Sequence, residues 1–243
     1  MPFETRYTYD FVKRFISGDR RRILEIGCGT GELAALLLQD GHTVIAMDSD
    51  PNSVAAAQRL GVDARVATWP DFHGGQFNAV LFTRSLHHIN PLDESVRRAV
   101  EAIAAGGVII VEDFAHESAD EKTLRWFTSA IGLLEATGSL TVNDEFLEAL
   151  LSKTEMWKAW RRNHQSENHE VELHTAADID RHLEKGVGRL IRENAAYYFR
   201  YIAKAIIGTT ERDAILQRFA DQEETLGADG SIVPLGRRFV AML

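Results

Sequence analysis

Through the first half of the chain, short runs of apolar residues alternate with segments whose apolar residues recur every three or four positions. That is the pattern of strands buried on both faces and joined by amphipathic helices. Phe3, Tyr7, Phe11, Val12, Phe15 and Ile16 predict a helix over 3–17, ended by Ser17-Gly18-Asp19. Ile23, Leu24 and Ile26 predict a first strand, and Leu33, Leu36 and Leu37 the inner side of a helix that Asp40-Gly41 ends. A second strand is expected over 42–47, then a helix over 54–60 with Asp50 as its N-cap and Pro51 in its first position. A third strand is expected over 64–67 and a fourth ending at Thr83. After a helix that closes over 99–105, a fifth strand follows over 106–113.

Beyond Phe114 the pattern becomes mainly helical. Residues 120–134 have helical spacing, 143–151 read as a short helix capped by Asn143, and 155–162 are rich in Trp and Arg. Thr175 with Asp178 three residues on resembles a capping box that opens a helix ended by Gly186. A sixth strand is expected over 187–193, a helix carrying Tyr197, Tyr198 and Tyr201 over 195–207, and a last strand over 232–242. Strands alternating with helices imply a mostly parallel sheet wound on both sides. No repeats or Pro-rich linkers interrupt the chain, so 1–243 is expected to be one domain: a core over 20–118, a helical insertion over 119–185, and C-terminal strands and a helix over 186–243.

Composition narrows the function classes. With 45% apolar residues and a net charge of −9, the chain is an ordinary globule without the basic footprint that nucleic acid or an anionic membrane surface requires. No apolar run approaches the roughly 18 residues needed to span a bilayer, and Met1 to Arg6 lack an apolar signal-peptide core, so a cytoplasmic location is expected. Cys28 is the single cysteine, which excludes an internal disulfide and a cysteine-based zinc site. His164, His169 and His174 stand amid Glu167, Glu170 and Glu172. Their spacing of five does not gather the imidazoles on one helix face, and the stretch reads as a polar loop with no metal expected.

The chemistry concentrates where the first strand ends. Gly27, Gly29 and Gly31 let the backbone turn sharply and let a ligand lie against bare main chain, while the next helix aims its free N–H groups at the same place. Glu25, two residues before the first glycine, can accept main-chain N–H bonds from the loop and brings negative charge that suits a cationic ligand. Asp48, 17 residues beyond Gly31, ends the second strand, where a carboxylate accepts hydrogen bonds from ribose hydroxyls.

Glu25 to Gly31, with its strand and helix, resembles the first motif of the class I S-adenosylmethionine (AdoMet)-dependent methyltransferases, Glu-x-Gly-x-Gly-x-Gly. Gly74 to Thr83, Leu86-His87-His88-Ile89 and the Gly106-Gly107 turn are similar to the same family, so the likeness covers about residues 20–118. It implies a Rossmann-like α/β fold with a mostly parallel seven-stranded sheet and AdoMet as the cofactor. Glu25, Gly27, Cys28, Gly29, Gly31, Asp48, Ser49, Thr68, Trp69 and Thr83 would then hold that cofactor. The chain departs from the family at Asn78, where Asp is commoner, and after the third strand. Ala67 or Thr68 occupies the place of the usual adenine-binding Asp, and Trp69 could stack on the purine or lie in the core.

The resemblance also implies in-line methyl transfer to a small-molecule acceptor, at O, N or C. His88 after the fourth strand, and His116 with Glu112 or Asp113 after the fifth, are the candidates for a base. His87 or His88 could instead only brace the loop. Tyr7 and Tyr9 are lid candidates, the acceptor is expected to be neither nucleic acid nor membrane, and the protein a monomer or homodimer. Two other readings stay open: a non-catalytic AdoMet-binding regulatory subunit, which Asn78 and Thr68 allow, and a nicotinamide-dependent oxidoreductase, which the glycine spacing disfavours.

Overall fold

Side chains on a strand alternate between the two faces of its sheet, and here both sets are apolar. The computed structural model describes residues 1–16, 18, 20–142, 144–152, 156–164, 173–187 and 189–243. In it β1 (Arg22–Ile26), β2 (Thr43–Asp48), β3 (Asp63–Val66), β4 (Phe77–Thr83), β5 (Ile103–Phe114), β6 (Arg189–Ala195) and β7 (Gly236–Met242) form one sheet in the order β3-β2-β1-β4-β5-β7-β6. The first five pair in parallel, and β7 runs antiparallel to both β5 and β6.

One face of the sheet offers Ile23, Ala46, Leu81 and Ile110 to α1 (Phe3–Lys13), α2 (Glu32–Gln39) and α3 (Pro51–Arg59), which bring Phe11, Leu33, Leu37 and Val54. The other offers Leu24, Met47, Phe82 and Val111 to α4 (Leu92–Ala102) and α8 (Ala176–Gly186), which bring Leu92, Val96, Ile179 and Leu183. A third core packs α5 (Glu121–Ala136), α6 (Glu145–Leu151) and α7 (Met156–Asn163) with α9 (Phe199–Ile202) and α10 (Thr209–Ala228), around Phe127, Trp160, Tyr198 and Phe219. Among the described residues no helix is long and apolar enough to cross a membrane.

Local signals placed their elements correctly. The Asp50 carboxylate accepts the N–H groups of Asn52 and Ser53 and starts α3, and Thr175 and Asp178 close a reciprocal capping box on α8. The corrections are instructive. α1 stops at Lys13 because the N–H groups of Arg14 and Phe15 turn back on Phe11 and Val12; Ser17 and Asp19, named as its end, lie outside the described residues. Asp144 caps α6 by accepting the N–H of Leu147, and Asn143 lies outside the described residues. The strand after α4 begins at Ile103, which pairs with Phe77, rather than at 106. No helix spans 195–207. Ala195 still pairs with Gly236, and the Glu223 carboxylate takes the N–H groups of Tyr197 and Tyr198 at 2.6 and 2.9 Å, so only the four residues of α9 coil there. Helix α10 was not expected, and β7 begins at Gly236 rather than 232.

Candidate functional site

Three of the parallel strands deliver their carboxyl ends to one crevice where the strand order reverses, between β1 and β4, as open α/β sheets do. The loop after β1 is clamped from both sides. The N–H groups of Gly27 and Cys28 donate to the Met47 carbonyl at 2.8 and 3.0 Å. Gly27 has φ +72°, and a Cβ there would lie 2.4 Å from the Cβ of Ser85; Gly31 has φ +82°, and its Cβ would lie 2.4 Å from that of Ala57. Only glycine permits both the left-handed backbone and this approach to β4 on one side and α3 on the other.

The resulting cleft has a volume of about 970 Å³, at the top of the roughly 300–1,000 Å³ that sites for drug-sized ligands occupy. Of the residues expected at a cofactor site, Glu25, Gly27, Cys28, Gly29, Asp48, Ser49, Thr68, Trp69 and Thr83 line it, as does His88. Gly31 sits behind the loop against α3. Asp48 is half-buried; its Oδ2 accepts the N–H of Gly29 at 2.9 Å and its Oδ1 that of Asp50 at 3.0 Å. The carboxylate from β2 therefore holds the loop, a task expected of Glu25.

Glu25 is buried below the loop. Its Oε1 accepts the Thr83 hydroxyl at 3.3 Å, and its Oε2 has no hydrogen-bond partner. Burial outweighs the Thr83 hydrogen bond and raises its pKa to about 8. An acid in that state gains most from a cation placed beside it. The Cys28 thiol is likewise pushed up to about 12, by burial and then by Glu25, and stays protonated rather than nucleophilic.

Trp69 lies in the core. Its indole N–H donates to the Ser95 carbonyl at 3.1 Å and its ring meets Phe82 edge-on at 6.1 Å, so at most its rim faces a ligand. Thr68 is exposed and donates weakly to Asp71, at 3.3 Å, a cleft-lining carboxylate not singled out from the sequence. Thr5, Thr8 and Glu94 also line the cleft without having been anticipated, and Arg84 lines it within the expected segment from Thr83 to Ile89. The signal for Thr5 and Thr8 was their spacing of three on α1. Tyr7 and Tyr9 donate to Glu224 and Asp40 and are not in the cleft wall.

The two histidines proposed as bases separate. His88 faces the cleft as an exposed residue, and desolvation by the groups around its ring, then the neighbouring His87 ring, lower its pKa and leave it neutral. Beside it His87 is buried, with Nδ1 2.7 Å from Oδ1 of Asp113, whose Oδ2 accepts the His87 N–H at 3.2 Å. This pair braces the loop that presents His88. His116 is not in the cleft wall: its ring stacks on His164 at 5.5 Å, and burial lowers its pKa. The Nε2 of His164 lies 2.7 Å from the Tyr201 hydroxyl, and the main-chain N–H of His174 donates to the His87 carbonyl. Both act as structural groups. Glu167, His169, Glu170 and Glu172 lie outside the described residues.

Glu112, considered as a base, is instead an ion-pair hub. Burial disfavours its charge, but Arg200, Arg238 and Arg84 together outweigh burial and hold the carboxyl at a pKa of about 2. Its Oε1 accepts Thr8 at 2.6 Å and Arg200 at 2.7 Å, and its Oε2 accepts Arg238 Nε at 2.8 Å. The hub ties α1, α9 and β7 to the end of β5 beside the cleft.

A family model described as a methyltransferase domain matches residues 3–185. Over 107 residues the chain is 31% identical to trans-aconitate 2-methyltransferase of Mycobacterium tuberculosis (strain ATCC 25177 / H37Ra), covering 43% of this chain and 41% of that protein. Over 148 residues it is 28% identical to the ubiquinone biosynthesis O-methyltransferase of Methylobacterium nodulans, covering 54% and 56%. The match therefore spans about half the length of these relatives or less. Among solved structures, Haemonchus contortus phosphoethanolamine N-methyltransferase 2 in complex with S-adenosyl-L-methionine superposes with a TM-score of 0.57 at 17% identity, over 96% of this chain and 51% of that one. At that identity the likeness is one of fold.

Proposed function

This chain belongs to the methyltransferase domain family, and from that premise we propose that it transfers the methyl group of AdoMet to a small organic acceptor. The observation that carries this reading is the bare turn at Gly27, braced by Asp48 and set over the buried Glu25 in the wall of a cleft of about 970 Å³. AdoMet would lie with its ribose at Asp48, its adenine toward Thr68 and Asp71, and its methionine end over the glycine turn. The acceptor would occupy the part of the cleft walled by Thr5, Thr8, Arg84 and His88. The names of the relatives support a small acceptor.

In the reaction a lone pair on the acceptor attacks the methyl carbon as the C–S bond breaks, its electrons returning to sulfur and neutralising the sulfonium. The protein's share is to align the acceptor atom about 3 to 3.5 Å from the methyl carbon, on the line of the breaking bond. Where the acceptor carries a proton, His88 is the imidazole in the cleft wall placed to take it, a weak base at its lowered pKa of about 4. His116, outside the cleft wall, has no such reach.

Calorimetry with AdoMet tests the reading. Wild-type protein should bind at micromolar levels, and Asp48→Ala should weaken binding by about 10- to 100-fold, the loss of a charge-assisted hydrogen-bond pair plus a loosened Gly29. No binding at millimolar AdoMet, or an unchanged affinity in the variant, would remove it. Turnover to S-adenosylhomocysteine then separates an enzyme from a binding subunit.

Glu25 adds a pH signature. Its carboxyl is mostly protonated below a pKa of about 8 and a bound cation favours the ionised form, so AdoMet affinity should rise between about pH 6 and 8, by no more than about tenfold per unit. The unliganded protein should behave oppositely. A folded pKa raised above the ordinary 4.5 means stability is lost as pH climbs from there to about 8. Glu25→Gln should flatten both slopes; slopes unchanged in that variant would assign them elsewhere.

A further inference from the structure

Charge divides the cleft. Glu25, Glu32, Asp48, Asp71 and Glu94 line it, and Arg84 contributes the one guanidinium or ammonium group among the described lining residues. Arg84 follows the last residue of β4 with a left-handed backbone, φ +62°, uncommon for a residue with a side chain. Its main-chain N–H is anchored on the Glu112 carbonyl at 2.6 Å. Its guanidinium extends toward β5 and α1, with NH1 3.4 Å from the Thr8 hydroxyl and 3.6 Å from Glu112 Oε1. That direction leads away from β2 and β3, where Asp48 and Thr68 stand.

Three guanidiniums gather around the single carboxylate of Glu112. Arg200 and Arg238 reach it at 2.7 Å and their side chains are 9% exposed; Arg84 stays at 3.6 Å with its side chain 39% exposed. The two close arginines satisfy Glu112, and Arg84 keeps most of its five donors for the cleft. The cluster carries a surplus of positive charge next to the cleft, and Arg84 also disfavours the charge on Arg200, after burial. A planar fork held by a strained backbone, under-compensated and open to the cleft, is the apparatus that recognises a planar or tetrahedral oxyanion.

We propose that the methyl acceptor is an anion, bearing a carboxylate or phosphate that pairs with Arg84 beside Thr5 and Thr8 while its nucleophilic atom faces the sulfonium. The proposal rests on the methyl-transfer reading above and gives that acceptor its chemical class. It also gives the site its selectivity: a neutral molecule of the same shape leaves the guanidinium with only its long contacts to Thr8 and Glu112.

The test uses the full chain saturated with S-adenosylhomocysteine, titrated in a calorimeter with maleate, with phenyl phosphate and with dimethyl maleate, the uncharged counterpart of the first. At least one anion should bind, the ester should not, and Arg84→Gln should weaken anion binding by about tenfold or more. Arg84→Lys should fall between, since it keeps the charge and loses the fork. Maleate and phenyl phosphate separate a carboxylate acceptor from a phosphate one. The affinity for AdoMet itself should change by less than about tenfold in Arg84→Gln, the modest change that a shifted Glu25 allows, which doubles as the check that the variant is folded. The proposal is overturned if neither anion binds at about 10 mM, a concentration at which even a millimolar Kd gives near saturation. Binding that ignores Arg84, or an ester that binds as well as the anions, overturns it equally. So does a tenfold loss of AdoMet affinity in Arg84→Gln, which would put the cofactor's own carboxylate on that guanidinium. Failure of wild-type protein to bind AdoMet or S-adenosylhomocysteine is the separate result that strikes the underlying reading.

Discussion

Gly27→Ala is expected to weaken AdoMet binding by more than about 100-fold and to lower the thermal midpoint by about 6–12 °C. The new methyl group meets the Cβ of Ser85 at 2.4 Å, far inside contact distance. Ser85 cannot retreat, because it is buried and its hydroxyl donates to the Ile26 carbonyl at 2.6 Å. The backbone must also hold φ +72° with a Cβ attached. Left-handed strain of about 1 kcal/mol and overpacking of about 2 kcal/mol give roughly 3 kcal/mol, and each kcal/mol moves the midpoint of a chain of this size by about 2–4 °C.

The remaining escape is for the turn to lift into the cleft, into the space the cofactor would need, so affinity should fall by more than about 100-fold. Gly41→Ala isolates the strain: its φ is +88° with no atom within 4 Å of a new Cβ, so it should cost only about 1 kcal/mol and leave AdoMet binding alone. Adding Ser85→Gly to Gly27→Ala removes the colliding atom and should restore part of both losses. If Gly27→Ala binds AdoMet normally, the glycine turn is not the cradle.

Local chemistry was legible in the sequence and distant chemistry was not. Three glycines between an apolar strand and a helix, a carboxylate at the end of the next strand, and the caps Asp50 and Thr175 each declare themselves within a few residues. α10 stayed hidden because its inward stripe is Leu216, Phe219, Ala220 and then Glu223, so a buried carboxylate occupies the place where the period wants a fourth apolar residue. That same Glu223 breaks the expected helix at 195–207 by taking the N–H groups of Tyr197 and Tyr198. Trp69 offered equal arguments for ligand and core, and the Ser95 carbonyl decided for the core. Glu112 and His116 looked like a catalytic pair because they stand four residues apart after a strand. In the fold one is sealed by arginines 88 and 126 residues away in sequence and the other stacks on His164. Partners at that separation are set by topology, which no local window contains.

Glu112→Gln should therefore act on stability first, costing about 3–5 kcal/mol and about 6–20 °C of thermal midpoint at neutral pH. The carboxylate is 1% exposed and accepts Thr8, Arg200 and Arg238. An amide of the same shape turns one acceptor into a donor facing donors, and leaves three guanidiniums repelling one another with no counter-charge. The parts that loosen are those the hub joins: α1, α9 and the β5–β7 pair. The pH dependence follows with a definite sign. The folded pKa of about 2 lies below the ordinary 4.5, so the stabilisation is complete above pH 4.5 and is lost as pH falls toward 2. The difference corresponds to roughly 3 kcal/mol. Wild-type protein should lose thermal midpoint steeply from about pH 5 to pH 3, whereas Glu112→Gln should start low and lose much less over that range. Arg84→Gln, which removes the most distant and most exposed of the three guanidiniums, should keep most of the midpoint and move the acid limb only slightly upward in pH. A Glu112→Gln variant with wild-type stability at pH 7 and an unchanged acid limb would show that the three arginines are held by something other than this carboxylate.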